Sequence, residues 1–288
     1  MKAAIHFPNF TYPGQPASLA GIIRSTAKAA DEGGFETMTL MDHWFQMEQR
    51  APATDPMLEG YTTLGFIAAQ TKRLGLGLLV TGVTYRYPGL LAKIVATLDV
   101  LSEGRAFLGI GAAWYEKEHL ALGVPYPPIS QRFEMLEEAI QICEQMWSDN
   151  EGPYEGKHYQ LAETICRPRP IQAPRPPILI GGGGEKKTLK LVAKYADACN
   201  LFDIGDGIGD KLAILDRHCE EQGRDPKSVQ RTAMNLGNPF DDIDAFLRKM
   251  EAWSALGISK VWVAPPDLDP VRFVSRMADE VLPRLSEI

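Results

Sequence analysis

The chain of 288 residues contains no CxxC pair, no HxH and no HExxH. Zinc sites, metal-dependent hydrolases and thiol redox centres need such spacings, so no metal-ligand set is expected. Its four cysteines, Cys143, Cys166, Cys199 and Cys219, are widely spaced and read as free thiols of a reducing compartment. No stretch approaches the ~18 consecutive apolar residues of a membrane span. The opening MKAAIHFPNF has one lysine and a short apolar run cut by Pro8, which reads as a first strand rather than a signal peptide. An excess of positive charge is also lacking: the formal net charge is −7. That argues against nucleic acid or an anionic membrane as partner. A cytoplasmic protein acting on a small molecule is expected.

What the chain does have is regular alternation. Short apolar runs at residues 3–7, 37–41, 76–81, 106–110, 178–180, 198–202, 229–235 and 261–264 read as eight strands. Their near-continuous apolar character implies burial on both faces, as in a parallel sheet. Helical patterns follow them, at 18–32, 61–72, 89–102, 130–147, 185–195, 211–222, 242–256 and 269–282. Eight strands alternating with helices predict an α/β fold of the (β/α)8 TIM-barrel class over residues 1–288, with an insertion at roughly 112–177 after the fourth strand.

In such a barrel the active site lies at the carboxyl ends of the strands. The second strand ends in Met41-Asp42-His43-Trp44. His43 is the leading catalytic candidate, because imidazole exchanges protons near neutral pH. Asp42 could bond a ring nitrogen or a cofactor edge; alternatively it caps the next segment while His43 packs on aromatics. The third strand ends in Leu79-Val80-Thr81-Gly82, an ordinary strand end or part of a site. The fourth ends in Gly111-Ala112-Ala113-Trp114, where small residues leave room for a flat ligand. The fifth runs into Gly181-Gly182-Gly183-Gly184 and a helix start. Four consecutive glycines exceed what a tight turn needs, and amides at a helix N-terminus suit a phosphate. His6 faces either the barrel interior or the site.

At this point the chain resembles the bacterial luciferase-like superfamily, in particular its coenzyme F420-dependent oxidoreductases. The likeness runs nearly end to end. It is carried by VTYRYPGLLAKIVATLDVLSEGRAFLGIGAAWYEKEH at 83–119, by LGVPYPP at 122–128, by Asp42-His43 and by Ile180-Gly181-Gly182-Gly183. The resemblance implies a deazaflavin, F420, or alternatively FMN, seated in the barrel mouth. Asp42 and His43 would lie beside the ring. Leu79, Val80 and Thr81 would back it, with a non-proline cis peptide near Leu79-Val80 or Val80-Thr81. Ala112, Ala113 and Trp114 would border the chromophore or its tail, and Gly182, Gly183 and Gly184 would hold the phosphate. It implies hydride transfer to or from a small organic substrate, with reduction the preferred direction and a homodimer as the assembly. An FMN-dependent monooxygenase served by a separate reductase, or a non-catalytic flavin or deazaflavin carrier, are the alternatives. One departure stands out. F420-dependent sugar-phosphate dehydrogenases carry a glutamate just after the fourth strand, whereas this chain has Trp114, with Glu116 and Glu118 close by.

Overall fold

The computed structural model describes residues 1–203 and 207–288. In chain order the first half comprises β1 (Lys2–Phe7), α1 (Leu19–Glu32), β2 (Thr37–Leu40), α2 (Gly60–Ala68), β3 (Gly75–Leu78), β4 (Thr81–Gly82), α3 (Pro88–Leu101), β5 (Leu108–Gly111), α4 (Glu116–Leu122) and α5 (Ile129–Met146). After it come β6 (Tyr154–Glu155), β7 (Gln160–Leu161), β8 (Ile178–Gly181), α6 (Thr188–Tyr195), β9 (Ala198–Phe202) and α7 (Ile208–Glu221). The chain finishes with β10 (Gln230–Met234), α8 (Ile243–Ala255), β11 (Ile258–Val263), α9 (Pro270–Arg276) and α10 (Leu282–Leu285).

The main sheet is parallel and ordered β3-β2-β1-β11-β10-β9-β8-β5-β4. β3 and β4 are two halves of one barrel strand, separated by a cis peptide bond between Leu79 and Val80. The gap closes on both sides of that bond. Leu76 donates its amide to Arg105 O at 2.8 Å and Phe107 donates to Leu76 O, while β4 pairs with β5 from Thr81 to Ile110. Eight barrel strands result, as the apolar runs predict, and the expected cis bond falls at the first of its two candidate positions.

The barrel interior is filled. Ala4, Leu179, Ala198, Met234 and Trp262 form its core, with Phe107 and Val80 packed against them. Gly77 is what lets Phe107 in: a Cβ there would sit 2.6 Å from the phenyl ring. A filled interior confines any ligand to the rim, since a packed barrel is not a pore.

Several boundaries differ from the sequence reading. The third strand is not continuous over 76–81, because an apolar run carries no sign of a break in the ladder. The helix expected from 185 starts at Thr188, and Ser18 makes no side-chain cap for α1. Residues 114–129, read as loop, contain α4, whose polar EKEHLAL buries only Glu118 and His119. Residues 150–177 carry the β6-β7 hairpin, held by Glu138, whose carboxylate accepts from Lys157 N, His158 N and Tyr159 N.

Candidate active site

A cavity of about 500 Å³ opens at the carboxyl ends of the strands. Its wall brings together Asp42, His43, Leu79, Val80, Ala112, Ala113, Trp114 and Gly182 from the sequence-selected residues. Thr81, Gly183 and Gly184 are not part of that wall. Thr81 is fully buried and its hydroxyl lies 2.7 Å from that of Tyr61, so it braces the strand from behind.

His43 stands at the end of β2 with a carboxylate behind it. Its Nδ1 is 2.8 Å from Glu118 Oε1, and Glu118 is fully buried. Glu118 Oε2 accepts the amides of Trp44 at 2.8 Å and Phe45 at 3.2 Å, and the Tyr85 hydroxyl donates to Oε1. Burial works against ionisation of Glu118, but the hydrogen bonds from His43 and Tyr85 outweigh it and hold the carboxyl below its usual range. Burial and the bond to Glu118 hold the Tyr85 phenol well above its usual range, so it stays a donor. An ionised carboxylate only accepts, so the imidazole hydrogen sits on Nδ1. Nε2 has no protein partner among the described residues. Trp114 and Tyr115 meet the imidazole edge-on, with ring centroids 5.5 and 5.7 Å away.

Asp42 is committed differently. Arg86 binds it through both carboxylate oxygens, at 2.7 and 3.0 Å, and also bonds Glu59. The guanidinium lies 4.8 Å from the Tyr61 ring centre. Burial pushes the Asp42 carboxyl up, against the pull of Arg86. Asp42→Ala would strand a guanidinium whose side chain is 12% exposed. Loss of about 3 kcal/mol of stability is expected in denaturant unfolding, the low end for a broken buried pair because Glu59 remains.

The glycine run fits an anion. Gly182 has φ +115°, a conformation that other residues rarely adopt, and its amide bonds Asn200 O. A Cβ on Gly184 would approach Thr188 Oγ1 to 2.8 Å. The amides of Gly183 and Gly184 find no acceptor among the described residues. The small residues at the ends of β5 and β8 line the cavity and also admit Val80. A Cβ on Gly111 or Gly181 would come within 2.9 or 2.8 Å of the Val80 side chain, so these two glycines make room for Val80. Val80 thereby becomes an apolar platform at the cavity floor. Ala113, at φ 58°, turns the chain into Trp114, and Arg132 Nη1 holds its carbonyl at 3.1 Å.

His6, left open by the sequence, lines the cavity. Its Nδ1 is 3.0 Å from Thr39 Oγ1. Burial, with help from Arg50 and His43, pushes its pKa from 6.5 down to about 3. The unfolded chain therefore takes up this proton first, so stability is present above the ordinary value and falls as pH drops towards the folded one. Between pH 7 and pH 5 this one group costs about 2 kcal/mol. A His6→Gln variant is expected to lose that part of the pH dependence, measured by urea unfolding at both values. Glu118, Arg86 and Arg50 were not singled out as site residues by sequence reasoning. In sequence Glu118 stands out only as a neighbour of the missing glutamate. Among the described residues no cluster of three or more His, Cys, Asp or Glu is placed to hold a metal ion.

Fold and cavity together define a (β/α)8 barrel with its functional face on the carboxyl rim. The sequence profile of the luciferase-like monooxygenase family matches residues 1–267, and the chain belongs to that family. An F420-dependent glucose-6-phosphate dehydrogenase of Kineococcus radiotolerans is 30% identical, over 91% of this chain and 76% of that protein. Among solved structures, the coenzyme F420-dependent tetrahydromethanopterin reductase of Methanopyrus kandleri superposes with a TM-score of 0.80, at 18% identity over 99% of both chains. An F420-dependent secondary alcohol dehydrogenase, solved with an F420-acetone adduct, gives 0.78 at 18% identity, over 99% of this chain and 99% of that one.

Proposed function

We propose that this protein is a coenzyme F420-dependent oxidoreductase that moves a hydride between the deazaflavin and a hydroxyl- or carbonyl-bearing small molecule. The observation that carries the reading is the His43–Glu118 pair, which leaves imidazole Nε2 facing the cavity as a base. F420-dependent enzymes among its relatives and structural neighbours support the choice of cofactor. When bound, the deazaflavin supplies hydride chemistry. The chain's own residues position and protonate. Gly183 and Gly184 would hold the phosphate through their amides, with Gly182 shaping the turn. Val80 and Leu79 would support the ring, and Ala112, Ala113 and Trp114 would flank it.

His43 Nε2 would take the proton from a substrate hydroxyl as its carbon gives up hydride, and would return it in the reverse direction. Glu118 fixes the tautomer that makes this possible and stabilises the imidazolium that forms. Exposed Tyr87, Leu90 and Leu101 on and before α3 support a homodimer packed through that helix; sedimentation tests it. No helix among the described residues is long and apolar enough to cross a membrane.

Titrating the purified protein with F420 and with FMN tests the reading. Micromolar binding of F420 without FMN, followed by F420 reduction on adding an alcohol, is the expected result. Binding of FMN alone would select the monooxygenase reading. Tight F420 binding with no turnover of any alcohol or ketone would leave a carrier.

A further inference from the structure

Arg50 is the cavity-lining cation that nothing else in the site uses. The wall carries four groups that can bear charge near neutral pH: His6, Asp42, His43 and Arg50. Asp42 is neutralised by Arg86 through two bonds. His6 is kept neutral by its surroundings. Glu118 carries its charge behind the imidazole, fully buried and outside the wall. Arg50 alone among the lining groups carries a full charge without a carboxylate, among the described residues. Its neighbour in sequence, Glu48, is paired with Lys117 at 2.6 Å, and Asp55 accepts from Thr11. Although exposed to solvent at the rim, Arg50 lines the same cavity as His6 and His43.

The position matters as much as the charge. Arg50 follows β2, as His43 does, whereas the glycine loop follows β8. Going round the rim, β5 and the β3-β4 strand separate the two. The rim therefore offers two places for anions, one at the unpartnered amides of Gly183 and Gly184 beside the wall residue Gly182 and one at a guanidinium on the wall. The wall also carries apolar Met41, Met47 and Pro265.

Resting on the hydride-transfer reading above, we infer that the substrate is itself an anion, a small hydroxy or oxo compound whose carboxylate or phosphate is neutralised by Arg50. A cofactor phosphate at the glycine loop leaves this cation free for the second anion. A guanidinium presents donors in a planar fork that matches either group. Arg50 is then a specificity-determining residue: it selects the charged member of a substrate pair without taking part in the proton transfer at His43.

The test is binding to the F420-loaded full chain, followed by the cofactor's fluorescence. Three matched pairs serve as probes: glucose 6-phosphate and glucose, 3-hydroxybutyrate and 3-hydroxybutyramide, mandelate and mandelamide. The anion is expected to bind more tightly in at least one pair by about 10- to 100-fold, the worth of a hydrogen bond to a charged group. Whether the phosphate pair or a carboxylate pair shows it identifies the anion. Arg50→Gln should abolish the preference, Arg50→Lys should keep part of it, and F420 affinity should be unchanged in both. Equal binding within all three pairs, a preference that survives Arg50→Gln, or weakened F420 binding in that variant would overturn the inference. Turnover is scored separately. A protein that shows the Arg50-dependent preference but transfers no hydride sinks the redox reading alone. Turnover of neutral alcohols, indifferent to Arg50, sinks this inference alone.

Discussion

Replacing His43 with asparagine is expected to lower turnover by about 10²- to 10⁴-fold, the range that a positioned general base supplies. F420 affinity should change little. The expectation follows from the division of labour in the cavity. In the proposed reading the phosphate would be held by backbone amides on the β8 loop and the ring by the apolar side chain of Val80, so neither would need the imidazole. The proton, by contrast, has no other acceptor of suitable strength on that wall among the described residues. Asp42 is held by Arg86, and His6 is too weak a base where it sits. Steady-state kinetics beside a binding titration check the prediction. A variant with wild-type turnover would remove His43 from the chemistry. A variant that fails to bind F420 would show it to be part of the cofactor seat.

The second large effect is expected at Glu118, a positioning residue that never reaches the cavity. Glu118→Ala leaves His43 Nδ1, the amides of Trp44 and Phe45, and the Tyr85 hydroxyl without their acceptor. Each stranded donor costs roughly 1–3 kcal/mol, so the alanine variant should be clearly destabilised. Glu118→Gln is the more telling change. It keeps the volume but can turn an amide N–H towards Nδ1, which then must accept. The imidazole hydrogen moves to Nε2 and the base facing the cavity is lost. Turnover should fall about 10²-fold at nearly unchanged F420 affinity, the scale of effect expected when a reacting group is misplaced. Nitrogen NMR of the labelled imidazole reads the tautomer directly. The wild type should show hydrogen on Nδ1 and the glutamine variant on Nε2. A purely structural Glu118 would lower the melting temperature and leave that tautomer unchanged.

The positions of His43 and of the glycine run were legible because a barrel fixes where chemistry sits. Once the apolar runs are counted as eight strands, whatever follows each strand lies on one rim. Glu118 was not legible as the partner of His43. It lies 75 residues away in sequence, on a one-sided polar helix too short to show a period. What brings it to His43 is the folding of that helix across the rim. Arg86 escaped for a similar reason, as an arginine in a turn with nothing local to mark its two carboxylates.

The glycines at 111 and 181 were legible as small, but not as the neighbours of Val80. That is a contact between strands, which spacing along one strand does not reveal. Conversely, the cis bond at Leu79-Val80 came from family resemblance, since two apolar residues inside an apolar run give no local cue.

The most direct measurement is the structure of the protein with F420 bound. The phosphate should lie within hydrogen-bond distance of the Gly183 and Gly184 amides, with the ring resting on Val80 and His43 Nε2 turned towards it. A ring seated elsewhere, a phosphate away from the β8 loop, or an imidazole whose Nε2 points out of the cavity would contradict the account.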